Sequence, residues 1–426
     1  MDDLWTGFDN HQQPPDANGH TTLSHTRRLT ERAILSALRN WLLQDYVAAY
    51  CRSLAATRIF RRCYWVDALG IDNKTPPQTQ SLEKNAETTQ QARKGRNKTV
   101  ADIPPALQPV CSLSQLLAQE NISVTLKSFL LEAGSRRKTI KPVQNGSASA
   151  MKAVSLPKDG GIVHASWLEV APLLLKEIEQ SPAIFLLNPF GPAIFNYNDL
   201  ALLYQRTVPT ELCLLASHKQ LEASLLAARR APEQAALLTG LLRTDRWKTL
   251  PAAEEELPQA LDGLLDLFIA SMQRHFMLPV QRIALPMQIR PALVEDIPYK
   301  LIFATRRQDS LVSMNDAVCL YRRQAYEKSR HGVLNEEWFA QQEQQRLSAD
   351  RQQLYQRTLE QGRTQRIRRW PDLRQQLLLM NFGQFTLSDY DAIIQQLLLN
   401  KEVRCEWRQR SEEERIPAND DTLLWH

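Results

Sequence analysis

A chain of 426 residues, 43% hydrophobic and 23% charged, has the length for two or three domains and the composition of a globular protein. Its formal net charge of +5 is mildly basic, which permits a nucleic-acid partner without requiring one. No apolar run approaches the ~18 residues that a membrane helix needs. The acidic, polar start of the chain lacks the basic-then-apolar layout of a secretory leader, so a cytoplasmic protein with a mobile arm over residues 1–24 is expected.

In chain order, Arg27–Leu54 places Ile34, Leu35, Leu38, Trp41 and Leu42 at helical spacing and predicts an amphipathic helix packed on a core. Cys63–Gly70 (CYWVDALG) predicts a strand running into a loop. From residue 73 to 105, Thr, Gln, Asn, Lys and Pro dominate, as in a mobile polar insertion; a second insertion is expected over 138–161. Four further strands are predicted over Val124–Glu132, Gly161–Ala165, Ala183–Asn188 and Glu211–Ala216. Helices are predicted over Ser112–Gln119, Leu168–Gln180, Asn198–Tyr204 and Gln220–Ala228. Apolar strands alternating with helices predict an α/β fold, a Rossmann-like parallel sheet with helices on both faces. Trp247–Met277 is predicted helical, and Tyr299–Thr305 (YKLIFAT) is a buried strand expected at the sheet edge. One long helix is expected over Arg322–Gln361, then helices over Pro371–Asn381 and Ser388–Asn400 and a hairpin from Glu402–Gln409 and Thr422–Trp425. That is the layout of a winged helix.

Ligands of an open parallel sheet sit beyond the carboxyl ends of its strands, and that rule selects the candidate site. Asp67 and Gly70 follow the first strand, Glu132 the second, Ser166 the third, and Asn188, Pro189, Phe190 and Gly191 the fourth. Glu132 suits the two hydroxyls of a ribose, or is a solvated strand end. Only Gly70 allows close approach of backbone to a cofactor, and Leu69 and Ile71 add bulk beside it. Asn188-Pro189-Phe190-Gly191 has two readings. It is an ordinary turn, or a catalytic loop whose carboxamide accepts from a base amine while the aromatic stacks on a flipped base. Arg363, Arg366, Arg368 and Arg369 precede the winged-helix-like segment; they form a nucleic-acid contact or a solvated helix face. The six cysteines contain no Cys-x-x-Cys pair and do not cluster with the eight histidines, so reduced, buried thiols and no metal site are expected.

Four segments in order resemble the three-Cys-motif partner proteins, a bacterial group with a methyltransferase-like fold. They are the helix from His25, Tyr64–Gly70 (YWVDALG), Ala183–Gly191 (AIFLLNPFG), and Tyr299–Thr305 with Met314-Asn315-Asp316-Ala317 after it. The family's Phe-Ala-Gly-Pro-Gly is replaced by Ala68-Leu69-Gly70-Ile71-Asp72, and its Asp before Pro-Phe-Gly by Asn188. The resemblance implies a methyltransferase-type fold, of the kind that binds S-adenosylmethionine, over an α/β domain at 25–321; the element layout adds a helical, winged-helix-like domain over 322–426. The resemblance also implies a radical-SAM-like partner protein and a setting near mobile elements and defence genes. Three functions follow: a degenerate methyltransferase fold acting in a complex with a protein and nucleic acid; an active N-methyltransferase on a nucleic-acid base; and a DNA-binding adaptor that uses the tail.

Overall fold

The computed structural model describes residues 31–70, 104–132, 156–157, 160–191, 193–290, 293–330, 335–408 and 416–426. The N-terminal arm expected over 1–24 lies outside the described residues, as do both polar insertions apart from short pieces at their ends.

The chain begins with α1 (Glu31–Trp41), a π-helical stretch over Leu42–Val47, and α2 (Ala48–Thr57). In the π stretch the amide of Ala48 donates to the carbonyl of Leu43, five residues back. Next come β1 (Arg62–Asp67), α3 (Gln108–Gln119), β2 (Thr125–Leu131), β3 (Gly161–Val163), α4 (Trp167–Glu177) and β4 (Ala183–Leu187). They are followed by α5 (Tyr197–Tyr204), β5 (Thr210–Ser217), α6 (His218–Arg230), α7 (Pro232–Leu242) and α8 (Leu257–Gln273). A hairpin of β6 (Gln281–Arg290) and β7 (Leu293–Ala304) leads into α9 (Gln308–Arg330). The tail holds α10 (Glu336–Gln365), α11 (Trp370–Met380), α12 (Leu387–Leu399), β8 (Val403–Glu406) and β9 (Thr422–Trp425).

The first seven strands form one sheet in the order β3-β2-β1-β4-β5-β7-β6. Strands β1 to β5 are mutually parallel; β7 is antiparallel to both of its neighbours. This is a mostly parallel α/β sheet flanked by helices, compatible with a Rossmann-like fold. Side chains alternate across it. Cys63, Trp65, Ile184 and Leu186 face a core shared with α1, α2, α3 and α9. Tyr64, Val66, Phe185 and Leu187 face a second core with α4 to α8. Burial on both faces explains why β4 (AIFLL) is apolar at every position.

Three expectations need correction. The strand over Tyr299–Thr305 is part of β7, which lies inside the sheet between β5 and β6. The edge is β6, where Pro286 interrupts the pairing and removes one backbone donor. The helix expected over Arg322–Gln361 is two helices: α10 restarts after Asn335, whose φ of 70° cannot continue a right-handed helix. The helix expected over Trp247–Met277 is a 3-10 turn at Arg246–Thr249 and a separate α8, which Pro258 opens at its first turn, where a missing N–H costs no bond.

The tail consists of helices followed by the antiparallel pair β8–β9. Its inner face (Leu354, Trp370, Leu377, Tyr390, Leu397, Leu423) belongs to the same core as α1 and α9. The Met314–Ala317 segment fastens the two together. The Asn315 carboxamide donates to the Phe385 carbonyl (2.8 Å) and accepts from the Gly383 amide (2.8 Å), and Asp316 accepts from the Leu387 amide (2.9 Å). No helix among the described residues is long and apolar enough to cross a membrane.

Candidate functional site

The carboxyl ends of β1, β2 and β3 open into a cavity of about 570 Å³. Its floor is Trp65, Asp67, Leu130 and Ile162, and one face of α1 forms a wall. The strand register places Asp67 beside Leu186 on β4, so Asn188 stands two residues further along the adjacent parallel strand, at the same end. Asp67 likewise pairs with Leu130 on β2, two residues before Glu132. The sheet therefore brings the predicted strand-end residues Asp67, Glu132 and Asn188 to one edge.

Asp67 is 4% exposed and accepts several hydrogen bonds. It has the same parity as Cys63 and Trp65, so its side chain turns to the α1 face of the sheet. There the Arg39 guanidinium meets it: Nε donates to Oδ2 at 2.5 Å and Nη2 to Oδ1 at 3.3 Å. The Leu69 amide also donates to Oδ1, at 3.0 Å. Nη2 of Arg39 donates further to the Gly70 carbonyl at 2.7 Å, which ties the loop after β1 to α1. Gly70 has a φ of 87°, a conformation that favours glycine, and the space where a Cβ would stand is open. Arg39 escaped the sequence reading because a lone arginine on the polar face of an amphipathic helix has no pattern linking it to a strand end 28 residues later.

The other predicted residues have identifiable structural partners. Glu132 Oε2 lies 2.8 Å from His164 Nδ1, and Glu132 is not among the cavity-lining residues. Ser166 caps α4 through a reciprocal box with Glu169: its amide and hydroxyl both donate to Glu169 Oε2, at 2.7 and 2.9 Å. Those bonds hold the Glu169 carboxyl below its ordinary pKa. The Asn188 carboxamide donates to Gln220 Oε1 (2.7 Å) and accepts from the Phe190 amide (3.1 Å), while the Gly191 amide donates to the Asn188 carbonyl (3.3 Å). Phe190 is 1% exposed and packs edge-on against Phe268, ring centres 5.2 Å apart. Asn188-Pro189-Phe190-Gly191 is thus a turn here, with its aromatic ring in the core and no open face for stacking.

In the tail, Arg363, Arg366, Arg368 and Arg369 are all exposed. Arg363 pairs with Glu402 at 2.8 Å. Arg366 ends α10 in a left-handed conformation, and Arg369 precedes α11. The outward residues of α12 include Ser388, Ala392, Gln396 and Leu399, none of them basic.

A second polar centre, unforeseen from the sequence, lies at the opposite end of the sheet. Glu211, near the start of β5, is fully buried and accepts from the Tyr46 hydroxyl at 3.1 Å. Burial raises its pKa to about 7, against smaller lowering effects of the neighbouring Thr305, Tyr46 and Ser310 hydroxyls. The nearby Cys63 and Cys213 thiols are also pushed up by burial. All six cysteines are free thiols, five buried and Cys111 half-buried. No group of three or more His, Cys, Asp or Glu side chains able to hold a metal occurs among the described residues. Compared with known proteins, the chain matches no protein-family model, no curated protein and no solved structure.

Proposed function

We propose that this chain has a methyltransferase-like fold of the three-Cys-motif-partner type that does not methylate on its own and works in a complex with a partner protein. The observation that carries the reading is the engagement of Asp67 by Arg39. Both of its oxygens already accept from Arg39 and Leu69. A strand-end carboxylate that would receive the amine of S-adenosylmethionine is thus already held by three hydrogen bonds and neutralised by the Arg39 guanidinium. The turn at Asn188 supports the same reading, because its amide groups and the Phe190 ring are engaged within the protein. Exposed Arg366, Arg368 and Arg369, beside a winged-helix-like arrangement of α10, α11, α12 and the β8–β9 pair, offer a surface for nucleic acid or an acidic partner. The resemblance adds a radical-SAM-like protein as the partner class and bacterial defence or a mobile element as the setting.

Calorimetric titration of the full chain with S-adenosylmethionine tests this. Binding weaker than about 100 μM is expected. Low-micromolar binding that Asp67→Ala abolishes would overturn it.

The second reading is an active N-methyltransferase on a nucleic-acid base. It is favoured by the strand order 3-2-1-4-5-7-6 with an antiparallel seventh strand, and by Asp67 and Asn188 sharing one sheet end. Methyl incorporation into DNA or RNA that Asn188→Ala eliminates would establish it. Salt-dependent DNA binding by the full chain, weakened when Arg366, Arg368 and Arg369 become Ala, tests the nucleic-acid surface.

A further inference from the structure

Three arginines with no carboxylate partner among the described residues gather at the end of the sheet opposite Asp67. Arg306 follows β7, whose Ala304 pairs with Leu212 near the start of β5. Its guanidinium donates to the Tyr204 and Arg206 carbonyls and lies 5.5 Å from the Phe276 ring centre. Neutral carbonyls fix the group and leave its charge in place. Beside it, His275 stacks on Tyr204 with ring centres 4.4 Å apart, and its Nε2 lies 2.8 Å from the Tyr197 hydroxyl. Arg243 sits over the Tyr197 ring, 4.5 Å from its centre. Burial, then Arg306, Arg243 and Arg274, hold His275 below its ordinary pKa, so all three guanidiniums lie within electrostatic reach of one imidazole.

The carboxylates of the surrounding segments have other partners. Asp199 accepts from the Asn196 amide in the capping box of α5, Asp245 lies 3.9 Å from Lys248, and Glu179 acts on the buried Arg206. Glu254, Glu255 and Glu256 precede α8, whose 17 residues, about 25 Å of helix, separate them from Arg274. Arg243, Arg274 and Arg306 form no ion pair among the described residues, and all three are exposed. Tyr197 and His275 are half-buried, and Tyr204 is the one ring stacked on His275 among the described residues. Exposed cations attract phosphate and carboxylate alike. Rings distinguish the two, because bases stack on them and acidic side chains do not. A duplex keeps its base faces covered. We propose that this patch binds single-stranded nucleic acid, with phosphates on Arg243, Arg274 and Arg306 and a base against Tyr197 and His275. The surface uses neither the Asp67 cavity nor Arg366, Arg368 and Arg369 of the tail.

The test is fluorescence anisotropy of the full chain with a labelled single strand of about twelve nucleotides. The comparison probes are the same sequence as a duplex, an abasic strand of the same length, and poly-glutamate of the same charge as a competitor. They are run on the native chain and on the chain with Arg366, Arg368 and Arg369 changed to Ala, which removes the tail surface. The tail change should leave single-strand affinity within about twofold. In the tail-changed chain the single strand should bind about fivefold or more tighter than the abasic strand or the duplex, and poly-glutamate should compete weakly. Arg243→Gln with Arg274→Gln should weaken the single strand about tenfold and reduce the slope of log affinity against log salt by about 1.4. Single-strand affinity that survives this double change, or that disappears with the tail arginines, would overturn the proposal. So would equal binding of the abasic strand or the duplex by the tail-changed chain, or no binding of the single strand at all. Poly-glutamate competing as strongly as the single strand would also overturn it, and would mark an acidic protein as the partner. The probe comparisons do not require the double variant, so they decide the matter even if its melting temperature falls.

Discussion

Arg39 and Asp67 illustrate how one contact both stabilises the fold and limits the site. Arg39→Ala leaves a carboxylate that is 4% exposed with the Leu69 amide as its remaining partner. Uncompensated buried charge is costly; because Arg39 is itself partly exposed, the expected loss is about 2–3 kcal/mol by urea denaturation. The paired Arg39→Ala, Asp67→Asn change should lose less than the two single changes added together, and a double-mutant cycle measures that coupling. Glu211 sets a different residue-scale expectation. Its folded pKa of about 7 stands above the ordinary value of 4.5, so between those values the unfolded chain releases a proton that the folded chain keeps. Stability should therefore fall as pH rises from about 4.5 to about 7, by up to ~3 kcal/mol, and level off above that. Glu211→Gln should flatten the profile in that window, as seen in denaturation midpoints across pH.

Elements were legible where local pattern decides them, and illegible where partners do. The five parallel strands stand out as short apolar runs because both faces of the sheet are covered. Strand β6 (QRIALPMQIR) was missed because an edge strand carrying Pro286 and polar residues at both ends lacks that signature. The first half of β7 was missed for a related reason: Glu295, Asp296 and Pro298 look like loop residues, and pairing with β6 makes them strand. The α9–α10 boundary was hidden by helix-forming Gln and Arg on both sides. Within the tail, Gly362 on α10 meets the Trp425 ring of β9: a Cβ there would stand 2.4 Å from ring atoms. The Trp425 indole cannot swing clear, because its Nε1 donates to the Ile367 carbonyl at 2.7 Å. Gly362→Ala should therefore destabilise by about 1–3 kcal/mol through overpacking, against the usual gain from Ala in a helix, and thermal melting reads the difference.

At the scale of the molecule, the sheet and the tail share one apolar cluster, with Trp41 of α1, Leu311 of α9 and Trp370 of α11 all in it. A single cooperative transition is expected, with calorimetric and van't Hoff enthalpies equal; two resolved transitions would show that the tail folds separately. That Asp67 and Asn188 share one end of the sheet was legible at this scale too, since both follow adjacent parallel strands. Which side chains remain open there was not, because that depends on α1, far from the strand ends in sequence.

Helix α1 reaches that position through the π stretch over Leu42–Val47. It works like the offset between two gears on one shaft. An extra residue in the turn sets the phase between α1 and α2, and each residue in an ordinary helix corresponds to about 100° of rotation. Trp41, at the end of α1, donates to the Ala317 carbonyl at 3.3 Å, while Arg39, two residues earlier, clasps Asp67. Removing one residue from the stretch, such as the exposed Gln44, would let the ladder close as a uniform α-helix. It would turn α1 by about that angle relative to α2, carrying Arg39 off Asp67 and Trp41 off α9 in the same motion. The chemistry of the cavity and the attachment of α1 to α9 are therefore indexed together by the length of one helical turn.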